Sequence, residues 1–381
     1  MTFTFDVFLR TISVAKFPDH FYQLSGDDNR GFSQEYEVHE KSNLYFVLPL
    51  PLLPNFAEDC ISACVLLCYG FLFSYLFPIV LCLICMPCHV STVMQSLISV
   101  GTEQTRKEAV LPENKARNRF NNVLPYDWCR VKLTTSNPNS TSDYINASYM
   151  PGYNSNREYI ATQGPLPSTV NDFWRMIWEQ KVKGIVMVTN CTEGGRTKCE
   201  QYWPAKSDPC PYGELTVTMT SEQQEPNWTL REFRVKHSKT SEERTVKHFH
   251  FTAWPDHGVP QGTEVLIQFR GLVRQHIQRE GAGAPTVVHC SAGVGRTGTI
   301  IALDVLLQQL EKERAVGINA FVHKMRLNRP HMVQTESQYI FLHQCIMDCL
   351  QPKEKMEENI YENAEMIYVN ATALREFHKN A

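Results

Sequence analysis

A cysteine and an arginine separated by five residues provide the strongest chemical signal in the chain. Cys290 follows His289 at the end of an apolar, β-branched run, and Arg296 ends the loop, before a stretch from Thr297 on that has apolar residues at helical spacing. A glycine-containing loop between a strand and a helix can direct its backbone N–H groups at one anion, at the positive end of the helix dipole. The spacing therefore predicts a phosphate-binding cradle, with the Cys290 thiolate as nucleophile and the Arg296 guanidinium as a fork for two phosphate oxygens.

Each part of this motif alone has an ordinary structural explanation, because many cysteines are small core residues and most glycine-rich turns are only turns. The joint pattern His-Cys-x5-Arg-Thr-Gly, after a strand and before a helix, is far more specific than its parts. It resembles the signature loop of the protein tyrosine phosphatases. That resemblance implies an α/β fold, in which a highly twisted mixed sheet is flanked by helices and the Cys-x5-Arg loop joins a strand to a helix. It also implies a covalent cysteinyl-phosphate intermediate, with no metal and no other cofactor.

The resemblance also assigns roles within the signature loop. The backbone N–H groups between the cysteine and the arginine would bind phosphate, and His289 would hold the loop in shape. Thr297 could donate a hydrogen bond that makes Cys290 a better leaving group. The loop residues that would surround the phosphate are Ser291, Ala292, Gly293, Val294 and Gly295.

A second motif supplies a proton donor. Departure of a tyrosine phenolate requires a proton, and a carboxylic acid carried on a mobile loop can supply it. Trp254-Pro-Asp256 resembles the acid loop of the family, so Asp256 is the predicted general acid and, afterwards, the base that activates water. The spacing gives the adjacent His257 no role, and we expect it to be a surface side chain.

Two further stretches resemble supporting motifs of the family. In the first, Glu193 would pair with Arg296 and fix its fork, and Lys198 would approach the general acid. An exposed charged turn is the alternative for this stretch, more so for Lys198 than for Glu193. In the second, Gln334 would position the hydrolytic water and Gln338 would belong to the substrate site.

Phe120 departs from the family pattern. The stretch Asn118-Arg-Phe120 resembles the phosphotyrosine-recognition loop, in which a tyrosine normally stacks on the substrate ring. A phenyl face still stacks, so recognition should survive without the hydroxyl. An ordinary core aromatic is the alternative for Phe120. Asn122 lies where the family often holds the substrate backbone.

Composition limits the class of protein and the compartment. The chain has 381 residues, of which 43% are hydrophobic and 20% charged, which allows roughly two domains or one large domain with additions. A net charge of −3 and the lack of a basic run give no argument for nucleic-acid binding. A reactive thiolate needs a reducing compartment, so the catalytic part is predicted to be cytosolic. The clustered cysteines Cys82, Cys85 and Cys88 have no histidine partners, so no zinc site is predicted.

The resemblance divides the chain into four parts. Residues 1–37 would form a helical lead-in to the phosphatase domain, residues 100–351 the catalytic domain, and residues 352–381 a flexible polar tail. Residues 38–99 have no counterpart in the family pattern. Within them, residues 60–88 are apolar almost throughout and carry no acidic or basic side chain, so hydropathy predicts a transmembrane helix. The basic residues that follow would place the catalytic part in the cytosol.

A membrane span at this position conflicts with the predicted domain. It would put residues 1–37 and residues 100–351 on opposite faces of the membrane and leave buried surface unpaired. We therefore favour a foreign insertion, such as intron-derived sequence or an alternative exon, over a working span. Transcripts sequenced across its two boundaries would distinguish the alternatives. With a span the protein is membrane-associated with a cytosolic catalytic domain, and without one it is soluble and cytosolic.

The tail carries two Tyr-x-Asn units, at Tyr361 and Tyr368. Once phosphorylated, such sites resemble docking motifs for Src-homology adaptors that read phosphotyrosine through arginine–phosphate pairing. Chance occurrence of these short motifs is the alternative. A tail of this type resembles the receptor-type phosphatases with fibronectin-repeat ectodomains and a single intracellular phosphatase domain, of which this chain would be the intracellular portion.

The predicted function is hydrolysis of phosphotyrosine in protein substrates, an activity of signal transduction. One alternative is a non-catalytic phosphotyrosine-binding module, because inactive domains of the family commonly lose the acid or the recognition ring. A dual-specificity phosphatase is a second alternative. It is disfavoured, because the loop at residues 118–120 and the size of the chain both indicate a deep, tyrosine-selective pocket.

Overall fold

The computed structural model describes residues 11–22, 100–134, 142–281 and 283–350. The helices are α1 (Pro112–Lys115), α2 (Val170–Glu179), α3 (Glu264–Arg279), α4 (Gly295–Glu313), α5 (Ile318–Asn328) and α6 (Glu336–Leu350). The strands are β1 (Ile12–Ser13), β2 (Arg130–Lys132), β3 (Tyr144–Met150), β4 (Tyr159–Thr162), β5 (Gly184–Met187), β6 (Thr192–Glu193), β7 (Arg196–Thr197), β8 (Cys210–Tyr212), β9 (Leu215–Gln224), β10 (Trp228–His237), β11 (Glu243–Phe251), β12 (Thr286–His289) and β13 (Ala315–Val316).

A nine-stranded mixed sheet, in the order β2-β3-β4-β12-β5-β11-β10-β9-β8, forms the centre of the domain. β12 lies between β4 and β5 and pairs in parallel with both, and β5 pairs in parallel with β11. Every residue of β12 is buried, as expected for a parallel strand covered on both faces, and the two valines at its centre fit that position. The outer strands pair antiparallel. The predicted α/β fold with a mixed sheet and flanking helices is confirmed.

Helix α4 carries the site because it begins directly after the loop that follows β12. It is buried along most of its length, and α3, α5 and α6 pack against it. A helix packed on several sides in a dense core keeps its first turn in a fixed place. The loop from Cys290 to Val294 therefore joins two rigid elements at the carboxyl edge of the parallel strands.

The described part of the lead-in packs on this domain. Ile12 in β1 pairs with Val316 in β13, and the side chain of Phe17 is fully buried. The ring of Phe17 stacks on His343 of α6, with 6.0 Å between the ring centroids. Residues 11–22 thus contribute side chains to the same core as the segments that follow residue 99.

Within the described ranges, no helix combines the length and the apolarity that a membrane crossing requires. The apolar segment at residues 60–88 lies outside the described residues, and so do Tyr361 and Tyr368 of the tail.

Candidate active site

Cys290 lies at the end of β12 with only 6% of its surface exposed. The backbone N–H of Gly293 donates a hydrogen bond to its Sγ at 3.3 Å. Gly293 has a φ of +73°, and a Cβ there would lie 2.1 Å from the carbonyl oxygen of Thr162. The loop therefore requires glycine at this position both for its backbone conformation and for its close approach to β4.

A buried arginine that the sequence analysis missed holds the loop from behind. Arg329 donates to the carbonyl oxygens of Gly293 at 2.9 Å and Ala292 at 3.0 Å, and to Oδ1 of Asn146 at 2.7 Å. Burial lowers the pKa of Arg329 to about 10, which leaves its guanidinium charged near neutral pH. Because this side chain occupies loop carbonyls, the loop N–H groups are left to face an anion. Arg329 is a single arginine before a proline, and no spacing to other residues in the sequence indicates its role.

Arg296 and Glu193 form the pair that the family resemblance implied. Nη1 of Arg296 donates to Oε1 of Glu193 at 2.7 Å, and Nη2 donates to Oε2 at 2.9 Å, a two-point contact that fixes the plane of the guanidinium. Glu193 also accepts from the N–H of Asn190 and the hydroxyl of Thr189. Burial alone would raise the pKa of Glu193, but the hydrogen bonds outweigh it and the net pKa is lowered.

The same guanidinium binds the backbone of the predicted acid loop. Nη2 of Arg296 donates to the carbonyl oxygens of Pro255 at 2.9 Å and Asp256 at 3.3 Å. The ring of Trp254 is buried, and its indole N–H donates to the carbonyl oxygen of Gly258 at 3.2 Å. The carboxyl group of Asp256 consequently lines the same cleft as Cys290. His257, next to it, has an almost fully exposed side chain, as expected.

Lys198 reaches Asp256, the predicted general acid, as the resemblance implied. Its Nζ lies 2.9 Å from Oδ1 of Asp256. The hydrogen bond from Lys198 lowers the pKa of Asp256 more than partial burial raises it. A lowered pKa favours the carboxylate, which is the form that a base needs, and it opposes the protonated form that an acid needs.

Replacement of Lys198 by methionine should raise the pKa of Asp256, because it removes both the hydrogen bond and the charge. The protonated acid would then persist to higher pH, and the alkaline limb of the kcat/KM profile should move to higher pH. The profile is measured on a phosphotyrosine peptide. The exposed Lys206, replaced in the same way, is the control. An alkaline limb that does not move would contradict this role of Lys198.

The predicted recognition loop places an aromatic ring at the cleft. Phe120 is 41% exposed and lines the cleft beside Asn122, so it is not a core aromatic. Arg119 anchors the loop, because its backbone N–H donates to Oε1 of Gln163 at 2.9 Å and its side chain donates to the carbonyl oxygen of Pro165 at 2.8 Å.

The two predicted glutamines lie together against the first turn of α4. Oε1 of Gln338 accepts from the backbone N–H of Gln334 at 2.9 Å and of Thr335 at 3.4 Å. A Cβ on Gly295 would lie 3.2 Å from Oε1 of Gln334, so the amide of Gln334 is seated directly on α4. Gln338 thus positions the backbone before α6, while both side chains line the cleft.

His289 is neutral and tied to the loop. Burial lowers the pKa of His289 to about 3. Its Nδ1 lies 3.2 Å from the carbonyl oxygen of Cys290, and its Nε2 lies 2.8 Å from the hydroxyl of Tyr202. A neutral imidazole that donates from Nδ1 accepts the tyrosine proton at Nε2, which orients the ring. Tyr202, which the sequence analysis also missed, bonds a second imidazole, that of His248, at 2.8 Å.

Thr297 is fully buried, and its hydroxyl has no hydrogen-bond partner among the described residues. The bond to Cys290 that the resemblance implied therefore stays a prediction.

These groups surround one open cleft of about 410 Å³. The predicted residues that line it are Phe120, Asn122, Glu193, Lys198, Asp256, Cys290, Ser291, Ala292, Gly295, Arg296, Gln334 and Gln338. The described ranges contain no group of three or more histidine, cysteine, aspartate or glutamate side chains placed to hold a metal ion. The arrangement brings a thiol, a guanidinium held by Glu193 and a carboxyl group to one cleft.

Comparison with known proteins agrees with this geometry. The sequence model of the protein-tyrosine phosphatase family matches residues 114–348. The human receptor-type tyrosine-protein phosphatase eta is 52% identical over 288 residues, which cover 75% of this chain and 21% of that protein. The human receptor-type tyrosine-protein phosphatase H is 52% identical over 287 residues, 74% of this chain and 26% of the relative. The human phosphatidylinositol phosphatase PTPRQ is 46% identical over 269 residues, 70% of this chain and 11% of the relative.

The chain thus spans about a fifth to a quarter of the length of the two receptor-type relatives. The resemblance to receptor-type phosphatases is confirmed over the catalytic region. With a family match over most of the described residues and a site whose parts stand together in space, the chain belongs to the protein-tyrosine phosphatase family.

Proposed function

We propose that this chain hydrolyses phosphotyrosine in proteins through a cysteinyl-phosphate intermediate. The observation that carries the proposal is the placement of Cys290, Arg296 and Asp256 around one cleft, with Arg296 joined to Glu193 on one side and to the acid loop on the other. Phosphoryl transfer from an aryl ester requires a nucleophile, an anion clamp and a proton donor, and one cleft here is lined by all three.

In the first step the Cys290 thiolate attacks phosphorus and the bond from phosphorus to the tyrosine oxygen breaks. The proton of Asp256 goes to the departing phenolate oxygen. The loop N–H groups and Arg296 stabilise the equatorial oxygens as charge spreads over them. Because Glu193 already holds the guanidinium plane, little reorganisation is needed when phosphate arrives.

In the second step a water oxygen attacks phosphorus and the phosphorus–sulfur bond breaks, which returns the thiolate. The Asp256 carboxylate accepts the proton of the water, and inorganic phosphate leaves. The hydrogen bond from Lys198 favours this ionised form of Asp256. Gln334 lines the cleft beside the loop, where its amide can orient the attacking water without becoming phosphorylated itself.

Asparagine in place of Asp256 should lower kcat/KM on a phosphotyrosine peptide by about 10²- to 10⁴-fold, because the phenolate departs without a proton. An aryl phosphate with a more acidic phenol needs that proton less, so its kcat/KM should fall by a much smaller factor. Initial rates on the two substrates measure the difference. The exposed Asp208, changed to asparagine, is the control. Equal losses on both substrates would contradict the role of Asp256 as acid.

The main experiment measures phosphate release from a phosphotyrosine peptide by the full chain and by a form that lacks residues 38–98. A phosphoserine peptide and a phosphatidylinositol phosphate are comparison substrates, and Cys290→Ser is the blank. Acid quenching during turnover should trap phosphate on Cys290.

The three outcomes of this experiment separate the hypotheses. Activity only in the shorter form means that a sound catalytic domain is disturbed by the inserted segment. Activity in both forms means that the segment is tolerated. If neither form releases phosphate although the shorter form is folded, the hypothesis that the chain is an enzyme is rejected. The phosphotyrosine-binding module is then favoured.

We further propose that residues 38–99 interrupt a single catalytic domain. The packing of Phe17 against α6 supports this proposal, since the lead-in and residues 100–350 then share one core. Association with a membrane through residues 60–88, and recruitment of phosphotyrosine-reading adaptors at Tyr361 and Tyr368, are proposals that rest on sequence alone. Phosphorylated tail peptides offered to isolated Src-homology domains test the second of these.

A further inference from the structure

The segment between α5 and α6 has an unfavourable backbone just before Gln334. His331 and Val333 have φ values of +60° and +55°, in the left-handed region. A β-branched side chain rarely adopts that conformation, because its Cβ substituents crowd the backbone. The surrounding structure must therefore hold Val333 in place.

Arg326 supplies one part of that support. It lies in the last turn of α5 and is only 2% exposed. Its Nε donates to the carbonyl oxygen of Met332 at 2.9 Å, and its Nη2 donates to the carbonyl oxygen of Val333 at 2.7 Å. These carbonyls belong to the two peptide units that flank the Cα of Val333, so one guanidinium restrains both of its backbone dihedrals.

The opposite side of the segment rests on α4. The N–H of Val333 donates to the carbonyl oxygen of Val294 at 3.3 Å. A Cβ on Gly298 would lie 2.4 Å from the nitrogen of Val333, so only glycine at this position of α4 leaves room for the segment. Val333 is therefore held between Arg326 and the helix that follows the signature loop.

Gln334 is the next residue, so the contacts that restrain the backbone of Val333 also restrain that of Gln334. The peptide unit whose carbonyl binds Arg326 also carries the N–H of Gln334, which donates to Gln338 at 2.9 Å. If Val333 relaxed to an extended conformation, this peptide unit would rotate and the amide of Gln334 would leave its position against Gly295. A shift of that size is enough to misplace a water-orienting group.

We propose that Arg326 is a positioning residue for hydrolysis of the cysteinyl-phosphate, because it holds Val333 in the left-handed region and so fixes the Gln334 amide. The inference rests on the proposed function. In the step concerned, the water oxygen bonds to phosphorus as the phosphorus–sulfur bond breaks, and the water proton goes to Asp256. Water takes no part in formation of the intermediate, so that step should depend much less on Arg326.

The test is rapid-quench kinetics on a chromogenic aryl phosphate, with the wild-type chain and Arg326→Met. In the variant, the first equivalent of phenol should appear at nearly the wild-type rate. Steady-state turnover should then be slower by about 10- to 100-fold. Phosphate bound to Cys290 should accumulate to nearly one equivalent. The exposed Arg279 of α3, changed to methionine, is the matched control and should behave as wild type.

A second substitution separates this role from a general loss of structure. Glycine adopts positive φ at no steric expense. Val333→Gly in the Arg326→Met background should therefore restore part of the lost turnover. Arg326→Lys keeps the charge but loses the planar group that binds two carbonyl oxygens. Its steady-state turnover should lie between that of the wild type and that of Arg326→Met. This lysine variant remains informative if the methionine variant does not fold.

The outcomes are distinguishable. Equal slowing of the burst and of steady-state turnover, or no recovery from glycine at position 333, would overturn the role of Arg326 and leave the phosphatase proposal intact. A wild-type chain that never forms phosphate on Cys290 would overturn both proposals. A burst followed by slow turnover, with recovery by glycine, supports the inference.

Discussion

Serine in place of Cys290 should lower kcat on a phosphotyrosine peptide by on the order of 10⁴-fold or more, because it removes the nucleophile. The serine hydroxyl stays protonated near neutral pH, and its neighbour His289 is not free to take that proton, because Nδ1 of His289 faces a backbone carbonyl and Nε2 faces Tyr202. The rest of the cradle is untouched, since Arg296 and the loop carbonyls keep their partners.

The Cys290→Ser chain should therefore still bind phosphopeptide, with a dissociation constant close to the wild-type KM. Titration calorimetry measures this binding, and phosphate release measures turnover. Cys349 is exposed, so its serine variant is the matched control and should keep full activity. Turnover by Cys290→Ser within about tenfold of wild type would show that the nucleophile lies elsewhere.

Lysine in place of Arg296 should lower kcat/KM by about 10²- to 10³-fold, although the charge is retained. An ammonium group is a point charge and cannot bind two phosphate oxygens in one plane. It also cannot keep both bonds to Glu193 while it reaches the carbonyl oxygens of the acid loop. The substitution therefore weakens the anion clamp and releases the acid loop together.

Two measurements on Arg296→Lys separate these contributions. Competitive inhibition by inorganic phosphate reports the anion clamp, and Trp254 fluorescence reports the acid loop, since its ring lies 5.9 Å from the guanidinium carbon. The exposed Arg196 of β7, changed to lysine, is the control. A loss of less than about tenfold would mean that charge alone suffices and that the fork has no special role.

Much of the site could be predicted because its chemistry is concentrated in short stretches. Cys290 begins the loop after β12 and Arg296 lies in the first turn of α4, so local spacing is enough to place both on the same anion. The contact between Glu193 and Arg296 spans 103 residues, and only the resemblance to a known family made it predictable. Physical reasoning from composition would not have joined them.

The supporting residues that escaped prediction act over long distances in sequence. Arg329 reaches Asn146 across 183 residues, and Tyr202 reaches His289 across 87. Their partners are mostly backbone carbonyls or ring nitrogens. A backbone carbonyl is present at every residue, so the sequence does not show which one a side chain binds. The order of strands in the sheet likewise depends on contacts between residues far apart in sequence. The apolar run of β12 predicts burial, but its place between β4 and β5 follows from tertiary packing that no local pattern encodes.

Residues 11–22 pack into the core together with the chain that follows residue 99. The residues between these two segments therefore form a loop whose ends are held together. The entropy of closing a flexible loop grows only with the logarithm of its length, so each doubling costs about 0.6 kcal/mol. Domains are typically stable by roughly 5–15 kcal/mol, so even a several-fold longer connection is thermodynamically small. If residues 38–99 interrupt the domain as proposed, any large effect of theirs must then come from what their apolar side chains bind, not from chain length. Polar substitutions within them should restore whatever their deletion restores.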